Sequence, residues 1–180
     1  MRLLIHIVFL MFIFTFTSHA TSMREPIKIG SKVFSEALIL GEMMAIILEK
    51  KLDQPVIRRL NLGGTKIVFD ALINEDIDLY PEYTGTGYVF ILKQASVIQD
   101  PEVIYNKVKK DYYEKYKVLW SPPIGFNNSY ALVVRGDDPH FQEIQTLSQL
   151  PKDLSKFNFT AAHEYMERTD GYNAFKKFYQ

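Results

Sequence analysis

The sequence contains no cysteine, and this absence excludes several kinds of protein at once. A chain without thiols has no disulfide framework, no thiolate nucleophile and no cysteine-bound metal. It also has no cysteine to which a lipid could be attached after export. If the chain is exported, we therefore expect it to diffuse freely rather than to be tethered by a lipid.

An excess of charge of one sign is absent as well. The chain carries 21 Lys and Arg residues against 21 Asp and Glu residues. Nucleic-acid binding depends on a basic surface that neutralises phosphates. The balanced charge therefore argues against nucleic acid as a partner.

Histidine is scarce, and only His140 and His163 lie beyond the first twenty residues. Neither stands in a pattern with serine and a carboxylate that would form a catalytic relay, and His163 has no second histidine at metal-ligand spacing. Glu82 beside Tyr80 and Tyr83 has the groups for acid–base chemistry, but no residue is marked as a nucleophile. We expect no enzyme, and neither a metal nor a cofactor.

The first twenty residues have the features of a secretory signal peptide. Arg2 precedes an apolar stretch at 3–16 that only His6 and Thr15 interrupt, and small residues stand at positions 18 and 20. A comfortable membrane span needs about 20 apolar residues, which is longer than this stretch. We predict that residues 1–20 are cleaved and that the mature protein is periplasmic. A retained N-terminal anchor is the alternative.

Strand and helix patterns alternate after the leader. Ser35 and Thr65 are plausible N-caps, and the helix after Ser35 is apolar almost all round, so we expect it to be packed on both sides. Strand, helix, strand, helix, strand with short connections predicts a parallel α/β sheet. The predicted strands lie at 27–30, 56–62 and 77–80, and the predicted helices at 35–51 and 65–73.

The pattern in the second half of the chain predicts the beginning of another α/β unit. Asp100-Pro101 opens a helix to about 116 whose tyrosines have the spacing of packing residues, and Thr169-Asp170 precedes a last helix. The predicted domains are a signal peptide at 1–20, a first α/β lobe at 21–125, and a crossover with an incomplete second lobe at 126–180. Further strands are expected at 118–120, 130–135 and 158–161, and a short helix at 147–150.

Polar and aromatic residues collect where the first three predicted strands end. The segments are GSK at 30–32, GGT at 63–65 and DLYPEYTGT at 78–86. Ligands of parallel sheets bind beyond the carboxyl ends of the strands. Aromatic rings with few charged neighbours suit a soft, poorly hydrated cation better than a metal or a phosphate. The pattern favours capture of a small molecule over chemistry.

Five motifs in order, spread over nearly all of the chain after the leader, carry a resemblance to a known family. The chain resembles the substrate-binding proteins of ABC importers for glycine betaine, choline and related quaternary amines. The resemblance implies a periplasmic binding protein fold of type II, in which two α/β lobes close over the ligand. It also implies a monomer that delivers an osmoprotectant to a membrane permease. The motifs are GSKVFSE at 30–36, LGGT at 62–65, DLYPEYTGT at 78–86, GFNNSYA at 125–131 and ERTDG at 167–171.

The resemblance also implies which residues hold the ligand. Family members surround the trimethylammonium group with tyrosines from both lobes, and each ring face contributes about 0.5–2 kcal/mol, so several rings are needed. A ligand carboxylate calls for a charged fork and a hydroxyl, which favours a betaine over choline. By position in the motifs, the cage residues are Tyr83, Tyr130 and the backbone carbonyl of Asn128, and the carboxylate residues are Lys32, Thr86 and Arg168.

Each of these residues also has an ordinary structural interpretation. Tyr83 could simply pack in a wall, Lys32 could be an exposed lysine at a strand end, and Arg168 could be a solvated surface charge. Glu82 could be a local cap. The motif around Arg168 is altered, since Thr169 stands where the family usually has proline.

Family chains continue well beyond position 180 and complete the second lobe. One strand and one helix cannot bury a core, so we expect a truncated form with a half-built cage. On this reasoning the chain alone binds weakly or not at all. The alternatives are a fragment, a non-functional remnant or a ligand-sensing module.

Overall fold

The first half of the described chain is built on a βαβ unit. The computed structural model describes residues 25–52, 54–95, 98–150 and 157–179. Strand β1 (Ile27–Lys32) pairs in parallel with β2 (Val56–Gly63), and helix α1 (Ser35–Leu52) connects them. The two strands end together, because Lys32 pairs with Gly63. The predicted signal peptide lies outside the described residues.

The third predicted strand is reduced to one bridge. Leu79 pairs in parallel with Ile29 of β1, but no ladder extends from it. The side chain of Asp78 accepts the backbone N–H of Lys28 at 2.6 Å, so a carboxylate replaces a strand carbonyl there. Pro81, two residues after the bridge, has no N–H to donate. The third segment is therefore parallel to β1, as a parallel sheet requires, but the predicted strand at 77–80 is shortened to one bridge.

Helix α1 lies against the sheet with one face only. Its buried residues are the small ones, Ala37, Gly41 and Ala45. A Cβ atom at Gly41 would come within 2.8 Å of the Leu60 side chain, which shows how closely this face approaches β2. The prediction that α1 is packed on both sides is wrong for the described chain. Its larger apolar residues on the other side are exposed, namely Ile39, Met43, Ile46 and Ile47.

The helices that follow enclose an aromatic core. Tyr112 is 1% exposed and makes edge-to-face contacts with Phe69, Tyr116 and Trp120. Gly87 permits this packing, since a Cβ there would lie 2.9 Å from the Trp120 ring. The elements are α2 (Thr65–Ile73), α3 (Thr84–Thr86), which continues as a π-helical turn (Gly87–Ile91), and α4 (Pro101–Tyr116).

Helix α4 begins at Pro101 and ends at Tyr116, as the sequence predicts. Asp100 is the N-cap, and its side chain accepts the backbone N–H groups of Glu102 and Val103. The expectation that its tyrosines pack is confirmed for Tyr112, whereas Tyr113 is 52% exposed. Helix α3 and its π-helical turn were not predicted.

The second half of the described chain contains fewer elements than predicted. The expected strands at 118–120, 130–135 and 158–161 are not formed. A strand needs a partner to satisfy its backbone groups, and none of these segments pairs as a strand with another segment of the described chain. The short helix expected at 147–150 is present as a 3₁₀ turn, and the last helix is formed as predicted. The short helix that precedes the last one was not predicted. The elements are the 3₁₀ helix (Leu147–Gln149), α5 (His163–Glu167) and α6 (Tyr172–Tyr179).

No helix in the part of the chain that the structure describes is both long and apolar enough to cross a bilayer.

Candidate ligand-binding site

One open cleft of about 1670 Å³ brings the predicted ligand residues together. It lies beyond the carboxyl end of β1 and is bordered by the loop that leads into α3. Segments around residues 120–130 and 162–170 form its other side. Its lining includes all six predicted side chains: Lys32, Tyr83, Thr86, Asn128, Tyr130 and Arg168.

Lys32 is buried and paired with a carboxylate. It is the last residue of β1, and its Nζ lies 2.5 Å from Oε1 of Glu82. The two side chains are only 3% and 6% exposed. Glu82 also accepts the backbone N–H of Tyr83 and the hydroxyl of Tyr80. Lys32 is therefore not an exposed lysine, and Glu82 orders the loop that carries Tyr83.

Arg168 is buried as well, so the alternative of a solvated surface charge is wrong. Its side chain is 5% exposed, and Nε and Nη2 donate to the two oxygens of Asp170 at 2.8 Å each. Nη1 donates to the hydroxyl of Thr86 at 3.1 Å. Burial works against the charge, but Asp170 outweighs it and raises the pKa of the Arg168 guanidinium. The two residues predicted to hold a carboxylate together, Thr86 and Arg168, are in contact.

Two aromatic groups line the cleft. Tyr83 lies between Phe34 and Phe126, with ring centroids 6.1 and 6.5 Å away. Tyr130 packs on Tyr165 at 4.8 Å. Two cations already face these rings, since Lys32 Nζ is 5.3 Å from the Tyr83 centroid and the Arg168 guanidinium is 5.6 Å from that of Tyr130. Each ring therefore already attracts a cation of the protein itself, and Tyr130, which is 61% exposed, keeps further ring surface open.

The side chain of Asn128 has a structural partner in the cleft, while the predicted ligand role of its backbone carbonyl stays a prediction. The sequence suggested its backbone carbonyl as a ligand group, and the structure shows that its side-chain Nδ2 donates to Oε1 of Glu36 at 2.9 Å. The hydroxyl of Tyr83 donates to the same oxygen. Glu36, an acid in the first turn of α1, is not among the predicted site residues, although it stands in the GSKVFSE motif with Phe34. The motif was the available signal for both residues.

Glu164 of α5 was missed, and it corrects the prediction that Thr65 caps α2. The N-cap residue is Gly64, which makes no side-chain cap. Instead the carboxylate of Glu164 accepts the backbone N–H of Thr65 at 3.1 Å and its hydroxyl at 2.9 Å. A carboxylate from 99 residues away thus takes the place of the local cap, where it also meets the positive end of the helix dipole. No sequence pattern predicts a capping partner this far away in the chain.

Replacing Glu164 with alanine is expected to lower the free energy of unfolding by about 1 kcal/mol. The loss arises because the first N–H of α2 and the buried Thr65 hydroxyl lose their acceptor. Denaturant titration measures it. Glu167→Ala, on the exposed side of the same short helix, is the control and should change stability little. Equal stability of the two variants would show that the cap contributes nothing.

Within the described ranges, no group of three or more His, Cys, Asp or Glu residues is placed to hold a metal ion.

Comparison with protein families gives one match that covers most of the chain. Residues 25–180 match the model of the substrate binding domain of ABC-type glycine betaine transport systems. The chain belongs to this family. Its motifs and the cleft that they line are therefore those of a transport substrate-binding domain, and the family is not one of enzymes.

Curated relatives of this substrate-binding family include proteins named for different ligands. The chain is 33% identical over 158 residues to the glycine betaine-binding protein YehZ of Escherichia coli and 32% identical over 160 residues to the carnitine transport binding protein OpuCC of Listeria monocytogenes. It covers 52% of each, while 86% and 88% of this chain is aligned. It is 36% identical over 157 residues to the ergothioneine transport permease/ergothioneine binding protein EgtU of Helicobacter pylori, of which it covers 28%.

Solved structures of substrate-binding proteins share the fold. The apo structure of E. coli YehZ matches with a TM-score of 0.57 and 32% identity, over 86% of this chain and 56% of that one. A glycine betaine/carnitine/choline ABC transporter structure matches with a TM-score of 0.57 and 28% identity, over 85% and 57%. The predicted α/β fold of this protein class is confirmed. The chain spans about half the length of these proteins.

Proposed function

We propose that this chain is the ligand-binding part of a periplasmic substrate-binding protein of an ABC importer, and that its ligand is glycine betaine or a related quaternary ammonium carboxylate. Residues 21–125 would form the first lobe and residues 126–180 the crossover and part of the second. The protein would act as a monomer after removal of residues 1–20 and would deliver the ligand to a membrane permease for osmoprotection.

The observation that carries the proposal is the setting of Arg168. The buried guanidinium contacts the hydroxyl of Thr86 and lies over the ring of Tyr130. A carboxylate needs a charged fork and a hydroxyl, and a trimethylammonium group needs ring faces, because it has no N–H to donate. Both requirements are met within one cleft. Glycine betaine and carnitine, named in two of the relatives, each combine these two groups.

The charges in the cleft make Arg168 the principal anion partner in this proposal. Lys32 is already paired with Glu82 at 2.5 Å, so its attraction for a ligand carboxylate is reduced. Arg168 shares its charge with Asp170, which is 44% exposed and partly screened by water, and more weakly with Glu164, whose Oε1 lies 3.9 Å from Nη1. Lys32 would then act as a second, weaker contact to the ligand carboxylate.

A titration with matched ligands tests the proposal. Glycine betaine and carnitine should bind, and choline, which lacks the carboxylate, should bind at least roughly 10-fold more weakly, since a hydrogen bond to a charged group contributes about 1.5–3 kcal/mol. The single tryptophan, Trp120, lies in the cleft lining and reports binding by fluorescence. Ligand methyl NMR signals extend the measurement to millimolar affinities, because a half-built cage is expected to bind weakly. Equal binding of choline would contradict the role of the carboxylate, and no binding of any ligand would overturn the proposed function.

A further inference from the structure

The carboxylate of Glu36 joins two parts of the cleft that are far apart in sequence. Glu36 lies in the first turn of α1, and its Oε1 accepts hydrogen bonds from the hydroxyl of Tyr83 and from Nδ2 of Asn128. These partners are 47 and 92 residues away. One oxygen therefore fixes the orientation of a proposed cage ring and of the segment that leads to Tyr130.

Among the described residues, Glu36 differs from its neighbouring acids because it makes no ion pair. Glu42 and Glu49 of the same helix both pair with Arg58, and Glu82 pairs with Lys32. Within the described chain, Glu36 accepts hydrogen bonds from a hydroxyl and an amide, which are neutral. The positive charge of Lys32 is balanced by Glu82, so it does not neutralise Glu36. The negative charge of Glu36 can therefore attract a cation in the cleft. Coulomb attraction is stronger in a partly buried site than in water.

The hydrogen bond from Tyr83 to Glu36 also changes the ring. A phenol that donates to a carboxylate gains electron density on its oxygen and its ring, so the ring face becomes more negative. Burial, and then the hydrogen bond to Glu36, raise the pKa of the Tyr83 hydroxyl, so the proton stays on the phenol. The more negative face attracts a cation more strongly and a neutral group no more than before.

We propose that Glu36 is a specificity-determining residue, which makes the cage prefer a quaternary ammonium ion over a neutral group of the same shape. The inference rests on the proposed function and deepens it. Glu36 acts on the ligand through Tyr83 and through its own charge. It is a positioning and charge-setting residue and need not touch the ligand.

A pair of ligands that differ only in charge tests this inference. In 3,3-dimethylbutanoate a carbon replaces the nitrogen of glycine betaine, so the shape and the carboxylate are kept and the positive charge is lost. Glu36→Gln keeps the size and one acceptor oxygen but removes the negative charge. We expect glycine betaine to bind roughly 10-fold more weakly to Glu36→Gln, with the affinity for 3,3-dimethylbutanoate nearly unchanged.

Two further variants complete the experiment. Glu42→Gln lies on the same helix and removes an acid that is paired with Arg58 away from the cleft, so neither affinity should change. Tyr83→Phe keeps the ring and the Glu36 charge but removes the donated hydrogen bond, so it should lose part of the preference for glycine betaine. It also serves if Glu36→Gln does not fold.

The outcomes separate the inference from the proposed function. If Glu36→Gln weakens both ligands equally, Glu36 has only a structural role and the inference is wrong while the proposed function stands. If the wild-type chain binds both ligands and the ratio is the same in every variant, the inference is also wrong. If the wild-type chain binds neither ligand, the proposed function fails, and the inference fails with it.

Discussion

Replacing Arg168 with glutamine is expected to weaken glycine betaine binding by about 2–4 kcal/mol, which is roughly 30- to 1000-fold. The guanidinium has five N–H groups, and the described hydrogen bonds to Asp170 and Thr86 use three of them. Two N–H groups remain for a ligand carboxylate. Because Arg168 is only 5% exposed, water compensates little for the lost bonds.

Calorimetry or ligand NMR with glycine betaine and choline measures this loss. Choline should be affected much less, since it has no carboxylate for Arg168 to hold. Arg168→Lys keeps the charge but loses the planar fork, and it should fall between glutamine and the wild type.

Arg135→Gln is a matched control for the arginine chemistry. Arg135 donates from Nε and Nη2 to the two carboxylate oxygens of Asp137, as Arg168 does to Asp170, also two residues away. The Arg135 side chain, however, is 80% exposed and lies outside the cleft. Its replacement should leave binding unchanged. If Arg168→Gln binds glycine betaine within threefold of the wild type, Arg168 does not hold the carboxylate.

The sequence predicts the βαβ unit and helix α4 well because their signals are local. The Asp100-Pro101 start of α4 and the alternation that leads to β1, α1 and β2 need no information from distant residues. The strands expected at 118–120, 130–135 and 158–161 failed for the opposite reason, since a strand depends on a partner that its own pattern cannot specify. The two-sided packing of α1 failed likewise, because apolar residues alone do not say what covers them.

In the candidate site, too, local motifs could be predicted from the sequence, whereas contacts between distant residues could not. The motifs led to the side chains that line one cleft, and their roles toward a ligand stay predictions. The pairing of Lys32 with Glu82 and the capping of α2 by Glu164 could not be predicted, since both depend on which elements meet in space. The burial of Arg168 depends on the same placement. A charged residue in a motif therefore indicates a candidate, and only its three-dimensional partners decide whether its charge is free to act.

Replacing Tyr112 with alanine is expected to lower the free energy of unfolding by about 3–5 kcal/mol, the largest stability effect that we predict. The ring is 1% exposed and contacts Phe69, Tyr116 and Trp120 edge to face, at centroid distances of 5.8, 5.7 and 5.3 Å. Removal leaves a cavity at the centre of the aromatic core and withdraws support from Trp120. Thermal unfolding should show a decrease of roughly 10 °C in Tm. Tyr113→Ala, the next residue on the helix and 52% exposed, should cost far less.

Tyr112→Phe distinguishes the packing of the ring from any contribution of its hydroxyl. The Tyr112 oxygen is buried and has no hydrogen-bond partner in the described part of the chain. A buried polar group without a partner costs free energy, so its removal should be neutral or stabilise the fold by up to about 1 kcal/mol. The ring contacts are unchanged in this variant. If Tyr112→Phe instead destabilises the protein as much as Tyr112→Ala, the hydroxyl rather than the ring supports the core, and the packing explanation is wrong.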